Sequence, residues 1–317
     1  MNASPIARRA GLACLLLLAP LAGPAHASNI TLPPETPAIL GKIYSFDLEG
    51  AVESAKRMEQ ELPNHPLGYL LEAEALWWRI WCTSADFKYG MSDARRRPKL
   101  EADRRYFELA ARALSLAEAQ TKRGESAEMQ FYAGMAEASA ARLYALRGEN
   151  RSAARSGVRG REHLLRAKAL DADLADADLG LGLYNYYVDT LGSIARMLRF
   201  FMGIPGGSKQ EGVRLLELAI AHGVLTTNIA RFYLALNLHR YDQQYEKALA
   251  TLGPLVEKYP ANPLFQLARG DLYGKLGRKQ QALAAYRSAS ALAVQNRECQ
   301  MHIQELVRTS IAALGAH

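Results

Sequence analysis

The C-terminal third of the sequence repeats its own pattern at a spacing of about 34 residues, and a fixed period of that length commits a chain to a stacked array of similar units. Asn228 to Pro260 superimposes on Asn262 to Val294, with His239 on Tyr273, Gln243 on Gly277, Ala248 on Ala282, Leu252 on Tyr286 and Leu255 on Ala289. Small and bulky positions alternate here at helical spacing, as two short antiparallel helices need if their axes are to approach closely at the alanines and be filled beside them. A third copy lies far upstream. Leu48 to Pro66 matches Tyr245 to Pro263 in its Ala51, Val52, Met58, Pro63 and Pro66.

Strand-like alternation is nearly absent, and Ala, Leu, Glu, Gln and Arg dominate, so the whole chain reads as helix. Breakers mark the joints at Pro63, Pro66, Pro98, Gly124, Gly148, Gly203 to Gly207, Gly223, Pro260, Pro263 and Gly277. Between them the pattern predicts twelve helices in six hairpin pairs, from about residue 44 to about residue 313. The set Gly270, Tyr273, Gly277, Ala282, Tyr286 and Ala289 resembles the tetratricopeptide consensus, with Pro260 closing the preceding unit. The expected fold is all-α: a right-handed, tetratricopeptide-like α-solenoid of helical hairpins over residues 44–317, clearest at 228–261 and 262–295, with an atypical central segment at 173–223.

Residues 1–27 read as a secretory signal peptide, with Arg8 and Arg9 before the apolar run Ala10 to Leu21 and Ala25-His26-Ala27 as the cleavage site. Residues 28–43, polar and proline-bearing, read as an extended lead-in. The expectation is export, with the mature chain periplasmic or peripheral to the cell envelope. Cys82 and Cys299 would then share a compartment that permits disulfides, yet in an array whose units touch only their neighbours they lie too far apart to pair. Two buried free thiols are expected.

The formal charge is +7, with basic and acidic residues interleaved along the helices; only Arg95-Arg96-Arg97 forms a run, so nothing resembles a nucleic-acid-binding face. No His-Glu-x-x-His, Gly-x-Ser-x-Gly or Cys-x-x-Cys occurs, and the expectation is a protein that is not an enzyme, with no cofactor and no metal site. Gly203 to Lys209 lacks the second glycine and the hydroxyl residue of a phosphate loop. The acidic run Asp171, Asp173, Asp176 and Asp178 lacks the glycine and terminal glutamate of a calcium loop and reads as helix capping. His239 falls on a repeat-packing position.

The block Gly180 to Gly223 is the least generic part of the chain. Its Gly180, Gly182, Tyr184, Asn185, Leu191, Leu198, Gly203, Gly206, Gly207, Gly212 and Leu216 resemble the central signature of the tetratricopeptide repeat protein 39 and inclusion-body-clearance family. The resemblance is one of architecture over about 45 residues, and Leu191-Gly192 replaces the family's Leu-Pro; the export signal also sets this chain apart from that cytosolic family. Ser208 followed by Glu211 forms a capping box for the next helix.

The function that fits these readings is a non-enzymatic scaffold binding a protein or peptide in its concave groove. First helices of each repeat line such a groove, which selects Trp78, Tyr233, Asn237, Arg240, Asp271 and Lys275 as partner-binding residues. The Lys and Asn pair that clamps a terminal carboxylate in chaperone-binding relatives is only half present, as Asn237 beside Tyr233. The alternative is a lipid-binding or membrane-surface protein that uses the apolar segment 194–204, with Phe200, Phe201 and Met202 as the contact.

Overall fold

The computed structural model describes residues 30–85, 87–88, 99–190 and 204–315. The signal peptide, Arg95 to Arg97 and most of the apolar segment 194–204 lie outside the described residues. Among those described there are thirteen helices and no strand. In chain order they are α1 (Thr36–Tyr44), α2 (Leu48–Glu61), α3 (Pro66–Ser84), α4 (Glu101–Thr121), α5 (Ala127–Leu146), α6 (Asn150–Leu170), α7 (Ala177–Asp189), α8 (Lys209–His222), α9 (Thr227–Arg240), α10 (Tyr245–Lys258), α11 (Pro263–Lys275), α12 (Lys279–Ala291) and α13 (Arg297–Gly315). Each packs chiefly on its chain neighbours, giving six hairpins, α1–α2 through α11–α12, and a closing helix. Helix α1 forms within the segment read above as extended. Pro37 in its first turn needs no intrahelical donor, and Ile39, Ile43 and Tyr44 anchor it to the core.

Local signals in the sequence start most of these helices. Side chains of Asp47, Ser126, Ser208 and Asn262 accept hydrogen bonds from backbone N–H groups of the first turn that follows each of them. The acidic run caps too, but at a distance. The buried Asp176 carboxylate accepts from the backbone N–H groups of Val224, Leu225 and Thr226 at 3.1, 2.9 and 2.7 Å and from the Thr226 hydroxyl at 2.8 Å, tying the start of α9 to the start of α7.

One turn recurs at the joints. Phe46, Gln243 and Gly277, which occupy equivalent positions in the three repeat copies, all carry positive φ, at 70°, 53° and 70°. Gly148, between α5 and α6, does the same at 76°. At each, the next residue's N–H reaches back to a carbonyl of the preceding helix: Asp47 to Lys42, Glu149 to Tyr144, Gln244 to Leu238 and Arg278 to Tyr273. The hairpin geometry therefore imposes a left-handed residue there whether or not the residue is glycine.

The glycines of the central block serve close approach. A Cβ on Gly212 would lie 2.7 Å from the Tyr186 nitrogen and 2.8 Å from the Gly182 oxygen, and one on Gly182 would lie 3.0 Å from the Gly212 oxygen. Helices α7 and α8 thus touch backbone to backbone. The Tyr184-Asn185 pair then fastens the incoming loop: Tyr184 donates to the Pro205 carbonyl at 2.9 Å, and Asn185 Oδ1 accepts from Ser208 N at 3.3 Å.

The ends of the array meet, a feature that period alone does not encode. Trp78 on α3 packs edge-on against Phe232 of α9 (4.9 Å between ring centroids) and Phe265 of α11 (5.6 Å). Tyr44 stacks near Tyr259, and Asn262 Nδ2 donates to the Tyr44 carbonyl at 3.0 Å. Cys82 at the end of α3 forms a disulfide with Cys299 on α13, their Cα atoms 5.2 Å apart, and His302 Nδ1 lies 2.6 Å from the Cys82 carbonyl. The two free thiols expected from sequence separation are therefore corrected. Because the array closes on itself, α13 becomes a neighbour of α3, and residues 217 positions apart reach bonding distance.

Candidate functional site

The residues selected from sequence for a concave groove fall into two groups. Trp78 (0% exposed), Asn237 (0%), Tyr233 (5%) and Asp271 (8%) are buried, Trp78 against Phe232 and Phe265 and Asn237 against Tyr187. Asp271 accepts a hydrogen bond from the Tyr286 hydroxyl at 2.7 Å and so joins the packing of α11 on α12. Arg240 is half-buried with its guanidinium 5.6 Å from the Tyr241 ring centroid, and Lys275 is exposed beside Tyr245. Phe200, Phe201 and Met202 lie outside the described residues. His239 is a core residue, packed on Phe87 (4.9 Å) and Tyr245 (5.7 Å) with neither ring nitrogen hydrogen-bonded. Burial first, and then Lys275, Arg240 and Lys88, push its pKa down to about 4.

The chemistry-bearing groups that do converge sit between α3, α4, α5, α7 and α9. Arg142 on α5 bonds Glu74 Oε2 on α3 at 2.8 Å and donates to the Tyr106 hydroxyl on α4 at 2.8 and 3.1 Å. Its guanidinium lies 4.2 Å from the Trp77 ring centroid, a cation–π contact in a desolvated setting. The Tyr106 hydroxyl in turn donates a hydrogen bond to the Ser139 carbonyl at 3.1 Å. Tyr233 on α9 faces the same group, and burial raises its pKa while the Arg142 charge opposes the rise. One turn further along α9, Asn237 Oδ1 accepts from the Tyr187 hydroxyl of α7 at 3.0 Å. Burial raises the pKa of Tyr187 as well.

This cluster is largely buried. Trp77 and Tyr106 are 1% and 0% exposed, yet the Arg142 and Glu74 side chains between them keep 16% and 17% of their surface accessible. Tyr187 is half-buried. Three buried atoms in it have no hydrogen-bond partner: Glu74 Oε1, the Tyr233 hydroxyl and Asn237 Nδ2. Sequence reasoning picked Tyr233 and Asn237 and passed over Glu74, Arg142, Tyr106 and Tyr187. The overlooked signal is an ionisable pair on inward-facing helical positions, since Glu and Arg there are buried only when partnered.

A groove of about 240 Å³ opens between α2 and α3, apolar at Leu48, Val52 and Leu76 and edged by Glu49, Glu53, Lys56 and Arg79. Among the described residues no group of three His, Cys, Asp or Glu side chains is placed to hold a metal ion, and no helix is long and apolar enough to cross a membrane. No family model matches the chain, and no curated protein matches it.

Proposed function

We propose that this chain is an exported, non-enzymatic scaffold, a right-handed tetratricopeptide-like α-solenoid whose surface holds a protein or peptide partner. The observation that carries the reading is the way the inward faces of α9 and α11 already grip a helix. Phe232 and Phe265 form an aromatic socket for Trp78, the kind of anchor and pocket by which a groove holds a partner helix. Helix α3 is part of the core and stays in place, so a partner meets the surface beyond it, where Arg240 is half-buried and Lys275 exposed in the last turns of α9 and α11. The buried disulfide fits a protein that folds in an oxidising compartment, which is what the N-terminal signal predicts.

The test is affinity capture from a cell-envelope extract, with the mature chain as bait, followed by the double charge reversal Arg240→Glu and Lys275→Glu. A partner recovered by the native bait and lost by the reversed one supports that surface. Undiminished recovery argues against it. N-terminal sequencing of the mature protein checks the compartment, with a start at Ser28 expected.

A further inference from the structure

We propose that the groove between α2 and α3 is a docking site for one amphipathic α-helix of a partner protein, a site that does not rest on the surface near Arg240 and Lys275. The groove holds about 240 Å³, with Leu48, Ala75 and Leu76 as its floor and Val52 half-buried on one wall. The room comes from small side chains. In the register that matches Leu48 with Tyr245 and Pro66 with Pro263, Val52 and Ala75 stand where the C-terminal copy has Leu249 and Leu272. Among the described residues α2 packs chiefly on α1 and α3, and the edge of the groove that carries Glu53 and Lys56 is exposed.

Size, shape and backbone chemistry select the occupant. Sites for whole cofactors and drug-sized ligands run from roughly 300 to 1,000 Å³, so this groove takes a few side chains rather than an entire molecule of that kind. The advance from Leu48 to Lys56 covers about 12 Å along α2, the span over which one face of a partner helix presents apolar residues at i, i+4 and i+7. An extended peptide would lack backbone partners, because beyond the first turn of α2 the lining residues have their N–H and C=O groups bonded within α2 and α3. A helix brings its own backbone bonds with it. Charge then sets the polar flanks. Glu49 and Arg79 meet between the two helices at 2.6 Å and neutralise each other at one end. Glu53 and Lys56 form no ion pair among the described residues, so the edge offers one carboxylate and one ammonium. The complementary helix therefore carries an aliphatic stripe flanked by a cation for Glu53 and an anion for Lys56. An anionic lipid surface would require a net positive edge, which these four charges do not make.

The experiment uses the oxidised mature chain and three lactam-stapled helical peptides of about 14 residues, stapled because free helices of that length are marginal in water. The first has leucines at i, i+4 and i+7 flanked by a lysine and a glutamate, the second has the same residues scrambled so that no apolar face forms, and the third has the two charges exchanged. Methyl NMR of Leu48, Val52, Ala75 and Leu76 in the native protein reads occupancy of the groove. The expected result is saturable shifts of these methyls with the first peptide, none with the scrambled one, and about threefold weaker binding with the charges exchanged, the worth of an exposed ion pair. Val52→Phe fills the groove from a half-buried position and should weaken the first peptide about tenfold or more. Glu53→Lys, at an exposed position, should abolish the preference between the two charge patterns, and Arg240→Glu with Lys275→Glu should leave the affinity unchanged. No saturation at millimolar peptide, equal binding of the scrambled peptide, or unchanged affinity in Val52→Phe overturns the proposal. Loss of binding in the Arg240→Glu, Lys275→Glu variant places the peptide on the other surface and overturns it too. Shifts of the same methyls with protein concentration alone mean that a second copy fills the groove, and they also refute it.

Discussion

His239 gives the sharpest quantitative test of how the array is packed. Its ring is 4% exposed, sits between Phe87 and Tyr245 and makes no hydrogen bond, so protonation would put an uncompensated charge into an aromatic pocket. The folded-state pKa is lowered to about 4 by burial and by Lys275, Arg240 and Lys88, against about 6.5 in an unfolded chain. Between those two values the unfolded state binds the proton and the folded state does not, so stability falls as pH drops from about 6.5 through 4. The shift of roughly 2.5 units corresponds to about 3 kcal/mol when complete, of which about 2 kcal/mol is lost by pH 5. Urea unfolding of the native chain and of His239→Phe at pH 7 and pH 5 measures it. The phenyl ring suits the same aromatic neighbours and does not titrate, so the variant should lose about 2 kcal/mol less than the native chain over that interval. Equal losses would refute the reasoning, because carboxylates elsewhere act alike in both proteins.

The other predictions concern backbone, carboxylate and covalent links. Gln243 holds the left-handed turn position that glycine holds at Gly277, so Gln243→Gly should raise the unfolding free energy by about 1 kcal/mol, seen as a higher urea midpoint. Gly212→Ala should cost about 1–3 kcal/mol, since the added methyl meets backbone atoms of α7 that cannot turn aside; Gly157→Ala, with nothing within 4 Å, should instead stabilise α6 by about 0.5–1 kcal/mol. Burial, a hydrogen bond to Glu72 and the Glu72 charge raise the Glu59 pKa to about 8, so the folded state keeps a proton that the unfolded state has lost. Stability should fall as pH rises from about 4.5 through 8, and Glu59→Gln should flatten that slope in thermal unfolding. Replacing both Cys82 and Cys299 by alanine opens a loop of 217 residues, for which chain entropy predicts a loss of roughly 5 kcal/mol, checked by comparing denaturant unfolding with and without the bond.

Local order was legible in the chain and closure was not, for a physical reason. A repeat pattern records what each unit presents to its neighbours: Ala248 and Ala282 are 0% exposed where helix axes approach, and Gly270 leaves room for Tyr286, whose ring would sit 2.5 Å from an added Cβ. Contacts between the first and last units have no period. Trp78 and Trp81 reveal that α3 is greasy on too many sides for an outer helix, but not that Phe232 and Phe265 receive them. The same gap led the two cysteines to be read as unpaired. It also explains the candidate site: consensus positions identify the inward face through Tyr233 and Asn237, whereas the groups that meet them there, Glu74, Arg142 and Tyr187, come from units whose repeats are too degenerate to align. Helix α1 escaped notice because a nine-residue helix has little room to display its own period, and its stability comes from packing on α2 and α3.

The polar interior at Glu74, Arg142 and Tyr106 is not what packing alone would select. An apolar set of the same volume at Glu74, Arg142 and Tyr106 would hold three helices together at least as well, since the cost of desolvating a buried ion pair consumes most of its Coulombic gain. Stability therefore does not explain the pair. Nor does the need to specify register, because the aromatic sockets around Trp78 and the disulfide already fix α3 against α9, α11 and α13. Buried charge elsewhere is answered to different degrees: Asp103 accepts two hydrogen bonds from Arg147 at 2.7 and 2.8 Å and Asp176 is saturated by the start of α9, whereas Glu59 Oε1 and Asp178 Oδ1 have no hydrogen-bond partner. Around the Glu74–Arg142 pair it is answered only in part, with Glu74 Oε1, Asn237 Nδ2 and the Tyr233 hydroxyl buried without a hydrogen-bond partner.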